Sequence, residues 1–105
     1  MSLEKLEFKF NNTSEQVESR KIRGEEYKWF NWEVFMEEPE EKLKLVESVE
    51  YRLHETFPNP IRTIYDSSTK FALKSSGWGV FRIFITVYLK DGREVEASHY
   101  LKLYG

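Results

Sequence analysis

The sequence predicts an all-β fold, a sandwich of seven or eight short strands, from three observations. The chain is rich in residues that favour strands, with eight Phe, six Tyr and three Trp making 16% of its residues. Apolar and polar residues alternate with a period of two through several segments, the pattern of a strand with one face buried. Turn-forming residues separate those segments at short intervals. At 105 residues the chain suits a single domain over 1–105. In so thin a sandwich the aromatic side chains must supply much of the burial.

Taken in order, Leu6, Phe8 and Phe10 alternate with Glu7 and Lys9 and predict a first half-buried strand. Asn11-Asn12-Thr13-Ser14 reads as a polar turn, with residues 16–22 returning as a strand before Gly24. Its two overlapping glycosylation sequons are taken as chance, since no secretion signal precedes them. Residues 27–36 place Phe30, Trp32, Val34 and Met36 on one face and Tyr27, Trp29 and Phe35 on the other. Residues 39–53 carry mixed signals. Pro39-Glu40-Glu41 resembles a first helical turn, whereas Val49, Tyr51 and Leu53 alternate as a strand does. The reading is a short turn to about Val46 and a strand beyond it.

Pro58-Asn59-Pro60 forces an extended loop. Residues 70–74 supply a short strand with Phe71 and Leu73, and residues 80–90 give the clearest strand of all. There Phe81, Ile83, Ile85, Val87 and Leu89 share one face, with Arg82, Phe84, Thr86 and Tyr88 on the other. Asp91-Gly92 predicts a type I′ hairpin turn, and residues 93–104 return.

Composition excludes several classes of function. The absence of cysteine removes disulfides, thiolate nucleophiles and cysteine-ligated metal sites. A net charge of −2, with both signs interspersed, is wrong for a surface that grips nucleic acid. No stretch approaches the ~20 apolar residues of a membrane span, and residues 1–10 lack a signal-peptide core. The expectation is an intracellular, cytoplasmic protein that contacts neither membrane nor nucleic acid directly. His54 and His99 have no third ligand at a zinc spacing, so no metal is expected. Ser75-Ser76 lack a base, and GxSxG is absent. No catalytic residue and no cofactor are expected, which makes a binding module the favoured class over an enzyme.

Two loops stand out, LHETFPNP at residues 53–60 and SSGWGVF at residues 75–81. Trp78 sits between two glycines, so it either folds back on the core or waits for a ligand. These two loops, with the aromatic strand ending Trp32-Glu33-Val34-Phe35, resemble the YEATS domain family over residues 26–103. The tail from Asp91-Gly92-Arg93 to Ser98-His99-Tyr100-Leu101 is similar to the compact prokaryotic branch.

The resemblance implies an immunoglobulin-like β-sandwich that recognises acylated lysine, acetyl or crotonyl, on a partner protein or peptide. It implies that Phe57 and Trp78 sandwich the acyl amide. Thr56 accepts from its N–H, and the Trp78 backbone N–H donates to its carbonyl. His54 lines the pocket and holds Thr56, Gly77 and Gly79 let the backbone approach closely, and Phe81 closes a wall. The family's further aromatic from the strand before Trp32 falls by direct count on Lys28. Either Tyr27 or Trp29 takes that place through a shifted register, or the rim differs. The alternative from another class is an interaction domain that assembles effector complexes of a prokaryotic signalling or conflict system without reading acyl-lysine.

Overall fold

The computed structural model describes residues 6–103. Seven strands form two antiparallel sheets: β1 (Phe10–Ile22), β2 (Glu25–Met36), β3 (Val46–Arg52), β4 (Ile61–Ile64), β5 (Leu73–Gly77), β6 (Arg82–Leu89) and β7 (Glu94–Tyr100). One sheet has the order β1-β2-β5 and the other β4-β3-β6-β7. One helical turn, α1 (Glu40–Leu43), and a 3-10 turn, Ser67–Thr69, interrupt the strands. The two sheets close on one core. Trp32, Val34 and Met36 come from the first sheet, and Val49, Tyr51, Ile83, Ile85 and Val87 from the second. The alternation read from β2 and β6 is the alternation that packs.

The first hairpin differs from its expectation. Asn11–Ser14 is not a turn but lies within β1, which runs unbroken from Phe10 to Ile22 opposite β2. Asn12 points inward and is buried, yet every polar atom of its side chain is partnered. Its Oδ1 accepts from the Lys102 N–H at 3.0 Å and lies 2.7 Å from His99 Nε2. Its Nδ2 donates to the Lys102 carbonyl at 2.7 Å. A polar cluster that binds distant backbone loses its need for water, so it need not mark a turn. Because Oδ1 can only accept, His99 Nε2 carries the proton of that bond. The segment ahead of β1 is not a strand, although Phe8 is buried.

The true turn lies at Arg23-Gly24, where Ile22 pairs with Glu25 and both turn residues have positive φ, 52° and 84°. That is the two-residue pattern of a type I′ hairpin. At Asp91-Gly92, where type I′ was expected, only Gly92 is left-handed, at φ 95°. Gly92 N–H donates to the Leu89 carbonyl, and Leu89 N–H to the Arg93 carbonyl. The result is a three-residue loop whose glycine forms a bulge.

The strand expected at 70–74 is displaced to Leu73–Gly77. Lys70 and Phe71 are left-handed, at φ 60° and 55°, which ends the 3-10 turn and drops Phe71 into the core with no exposure. Tyr51, also without exposure, donates its hydroxyl proton to the Phe71 carbonyl at 2.6 Å and joins β3 to this turn. Burial pushes its phenol far above the ordinary range. Tyr51→Phe leaves a buried carbonyl without its donor, an expected loss of about 1–3 kcal/mol in urea unfolding. The predicted strand end at Tyr104 lies outside the described residues, as do residues 1–5. No helix among the described residues is long and apolar enough to cross a membrane.

Candidate functional site

The residues 54–60 loop is a built structure. Phe57 N–H donates to the His54 carbonyl at 3.0 Å, and Leu53 N–H closes the loop base on the Pro60 carbonyl at 2.7 Å. Arg62 donates to the Asn59 and Pro58 carbonyls, each at 3.0 Å. Within the turn, His54 Nδ1 accepts from the Thr56 N–H at 3.2 Å and lies 2.9 Å from Thr56 Oγ1. A nitrogen that accepts the backbone proton cannot carry its own, so the ring is the neutral Nε2–H tautomer and the Thr56 hydroxyl donates to it. The lone pairs of Thr56 Oγ1 are left to accept from something else.

Phe57 and Phe81 face each other, 5.2 Å between ring centres. Both meet the buried Trp32 edge-on, at 6.4 and 6.2 Å, and His54 meets Phe81 at 6.3 Å. The core extends into this end of the sandwich as an aromatic wall. The opposite wall comes from β5 and the residues after it. Pairing of Phe30 with Gly77 ends β5 beside Trp29 and leaves Trp78 half exposed. Trp78 does not fold into the core. It stacks on Tyr27 of β2, with 4.5 Å between ring centres and 32° between planes. Tyr27 in turn donates its hydroxyl proton to Glu25 at 2.7 Å.

Between the walls lies a cavity of about 560 Å³. His54, Thr56, Phe57, Gly77, Trp78, Gly79 and Phe81, the seven residues singled out in the sequence, all line it. No carboxylate lines it: Glu55, on the same turn, is exposed and faces elsewhere. One larger hollow, of about 870 Å³, lies elsewhere on the surface, but the cluster of aromatic residues lines this one. A Cβ added at Gly77 would stand 3.8 Å from the Phe57 ring, an ordinary contact inside the cavity. Neither Gly77 nor Gly79 has positive φ, so neither backbone conformation requires glycine, and a Cβ at Gly79 would meet nothing within 4 Å.

Trp29, which the sequence places with Tyr27 on the second face of its strand, lines the cavity as well. Alternation correctly put Trp29 and Tyr27 together opposite the core face of β2. The missing signal was that β5 ends early enough to bring Trp78 beside them. The β1 strand also bulges here, with Val17 opposite Trp29 and Arg20 opposite Tyr27. The Arg20 guanidinium lies 4.6 Å from the centre of the Trp29 ring, a cation–π contact that holds the indole from the far side.

An immunoglobulin-like sandwich with an aromatic cavity between two end loops is the class that fold and site define. A family model, the prokaryotic YEATS domain, matches residues 30–102. The chain belongs to the YEATS domain family. Among curated proteins it is similar to the Protein AF-9 homolog of Kluyveromyces lactis, with 35% identity over 78 residues, 70% of this chain and 34% of that protein. The Candida glabrata homolog is 31% identical over 98 residues, 90% of this chain and 43% of that protein. The chain therefore spans well under half the length of these relatives.

Among solved structures, yeast AF-9 homolog protein Yaf9 superposes with a TM-score of 0.72 at 29% identity, covering 91% of this chain and 66% of that one. The Yaf9 YEATS domain recognizing an H3K122suc peptide gives 0.70 at 26% identity, covering 96% and 80%. The same domain bound to H3K27ac gives 0.69 at 25% identity, covering 97% and 80%.

Proposed function

We propose that this domain is a binding module that reads an acylated lysine on a partner peptide, and that its activity is recognition rather than turnover. The observation that carries the reading is an aromatic cavity with no counter-charge. A lysine ammonium entering it would lose its water without gaining an anion, a cost of several kcal/mol. An acyl-lysine amide is neutral and flat, with a donor on one edge and an acceptor on the other. Phe57 and Trp78 flank the slot for its faces, the free lone pairs of Thr56 suit its N–H, and the Trp78 backbone N–H suits its carbonyl. The relatives solved with acylated histone peptides support the same reading.

Thr56→Val tests the polar part of this account. The change keeps the shape and removes the acceptor, leaving the ligand N–H without its partner in the cavity. The expected loss is about 1–3 kcal/mol, roughly five- to 150-fold in Kd for an acetyl-lysine peptide by calorimetry. Unchanged affinity would remove Thr56 from the site.

A further inference from the structure

The outer face of the β4-β3-β6-β7 sheet carries a second feature, distinct from the cavity. Phe84, Tyr100 and Ile61 are 57%, 51% and 51% exposed on it. Its charges are sorted by row. The pairing register places Arg52 beside Phe84 in one row and Glu50 beside Thr86 in the next, two residues along the strands. Arg82 and Tyr100 form the row beyond Phe84, and Tyr88 and Glu94 the row beyond Thr86. Among the described residues neither Arg52 nor Arg82 forms an ion pair; Arg82 donates to Ser98 at 3.2 Å and lies over Tyr100 at 5.9 Å. One half of the face is basic and the other acidic, with an exposed phenylalanine near the middle.

Such a pattern is complementary to itself. A two-fold axis lying in the face, across the strands and between the Phe84 and Thr86 rows, turns each row onto its opposite. Arg52 then meets Glu50 of a second copy, and the second copy's Arg52 meets Glu50 of the first. Tyr100 comes to Glu94, and each Phe84 ring is covered by the other sheet near Thr86. A two-fold along the strands would instead lay the basic half of one copy on the basic half of the other, and acidic on acidic, so the charges select one orientation.

We propose that this face is a homodimer interface, occupied by a second copy of the chain in the antiparallel arrangement just described. Four strands about 4.8 Å apart and rows about 6.8 Å apart give roughly 400 Å² per copy. That is about half a standard interface, so the pairing is weak, in the micromolar-to-millimolar range. It also has a geometric consequence. His54 follows the Arg52 end of β3, and Phe81 precedes Arg82 of β6, so the cavity lies at the basic end. The two-fold operation sends the two cavities to opposite ends of the dimer, facing different peptides.

Sedimentation velocity on the whole chain, from about 10 μM to about 1 mM, tests this. Wild type is expected to pass from monomer to dimer over that range, and Phe84→Ser to remain monomeric. The decisive arm uses Arg52→Glu and Glu50→Arg. Each alone places like charges at both contacts and is expected to weaken association at least tenfold. An equimolar mixture places opposite charges at both and is expected to restore the dimer. Circular dichroism establishes that each variant is folded. Wild type that stays monomeric throughout, or a mixture no more associated than its components, overturns the proposal. So would shifts at Phe84 and Tyr100 on adding acyl-lysine peptide to monomeric protein, which would give the face to the peptide instead.

Discussion

Replacing Trp78 with alanine is expected to weaken an acyl-lysine peptide by at least about thirtyfold, ~2 kcal/mol, while the domain stays folded. The reason lies in where the indole sits. It is half exposed and supplies one wall of the cavity, so removing it takes away an aromatic face from the ligand. Its structural debt is small. It gives up one stacking contact with Tyr27, worth about 0.5–1.5 kcal/mol, whereas a Phe or Trp removed from a packed core costs ~3–5 kcal/mol. The pair of measurements is calorimetry for the peptide and a urea midpoint for the fold. A variant that unfolds, or one that binds as wild type does, would show that Trp78 has been misassigned.

The second large effect belongs to stability. Asn12→Ala is expected to cost about 2–4 kcal/mol, lowering the melting temperature by roughly 10–25 °C. The side chain bonds both the N–H and the carbonyl of Lys102 and takes the proton of His99 Nε2. Alanine leaves all three groups without partners next to the core.

The same cluster predicts a pH dependence. His99 is held below its ordinary value of 6.5, first by burial and then by Lys102, against an opposing pull from Glu37. A base whose folded pKa is depressed takes its proton more readily when unfolded. Its stabilising contribution is therefore complete above about 6.5 and declines as pH falls below that value. Urea midpoints between pH 7 and pH 5 should fall in wild type and flatten in His99→Gln, which keeps a donor for Asn12. An equal slope in both would place the titration elsewhere.

How much of this was legible in the sequence follows from which interactions are local. The alternation in β2 and β6 is local, so their buried faces, Phe30 to Met36 and Ile83 to Leu89, were readable residue by residue. The HETF and GWG segments carry their own turn chemistry, and of the eight residues they and Phe81 supply, all but Glu55 line one cavity. Asn12 misled because its partner, Lys102, is 90 residues away. Its bonds to Lys102 and His99 let a polar cluster sit inside a strand. Phe71 misled because its left-handed backbone, unusual for a bulky residue, is stabilised by the distant Tyr51 hydroxyl. Trp29 was readable as an aromatic on the outer face of β2. Its place in the cavity depends on where β5 ends and on the bulge in β1, neither of which the sequence displays.

The central claim is that the cavity reads acylation itself, and matched peptides differing only at one lysine test it most directly. Acylation removes a charge that the cavity cannot neutralise, adds a flat face for Phe57 and Trp78, and supplies the carbonyl for the Trp78 N–H. The planar crotonyl group lengthens that face. Titration is expected to rank crotonyl-lysine at or above acetyl-lysine, with unmodified lysine weaker by at least about tenfold, ~1.4 kcal/mol. Tighter binding of trimethyl-lysine would indicate a cage for a cation. Equal affinity for acylated and free lysine would contradict the account, and absence of binding to every peptide would favour the effector-scaffold alternative.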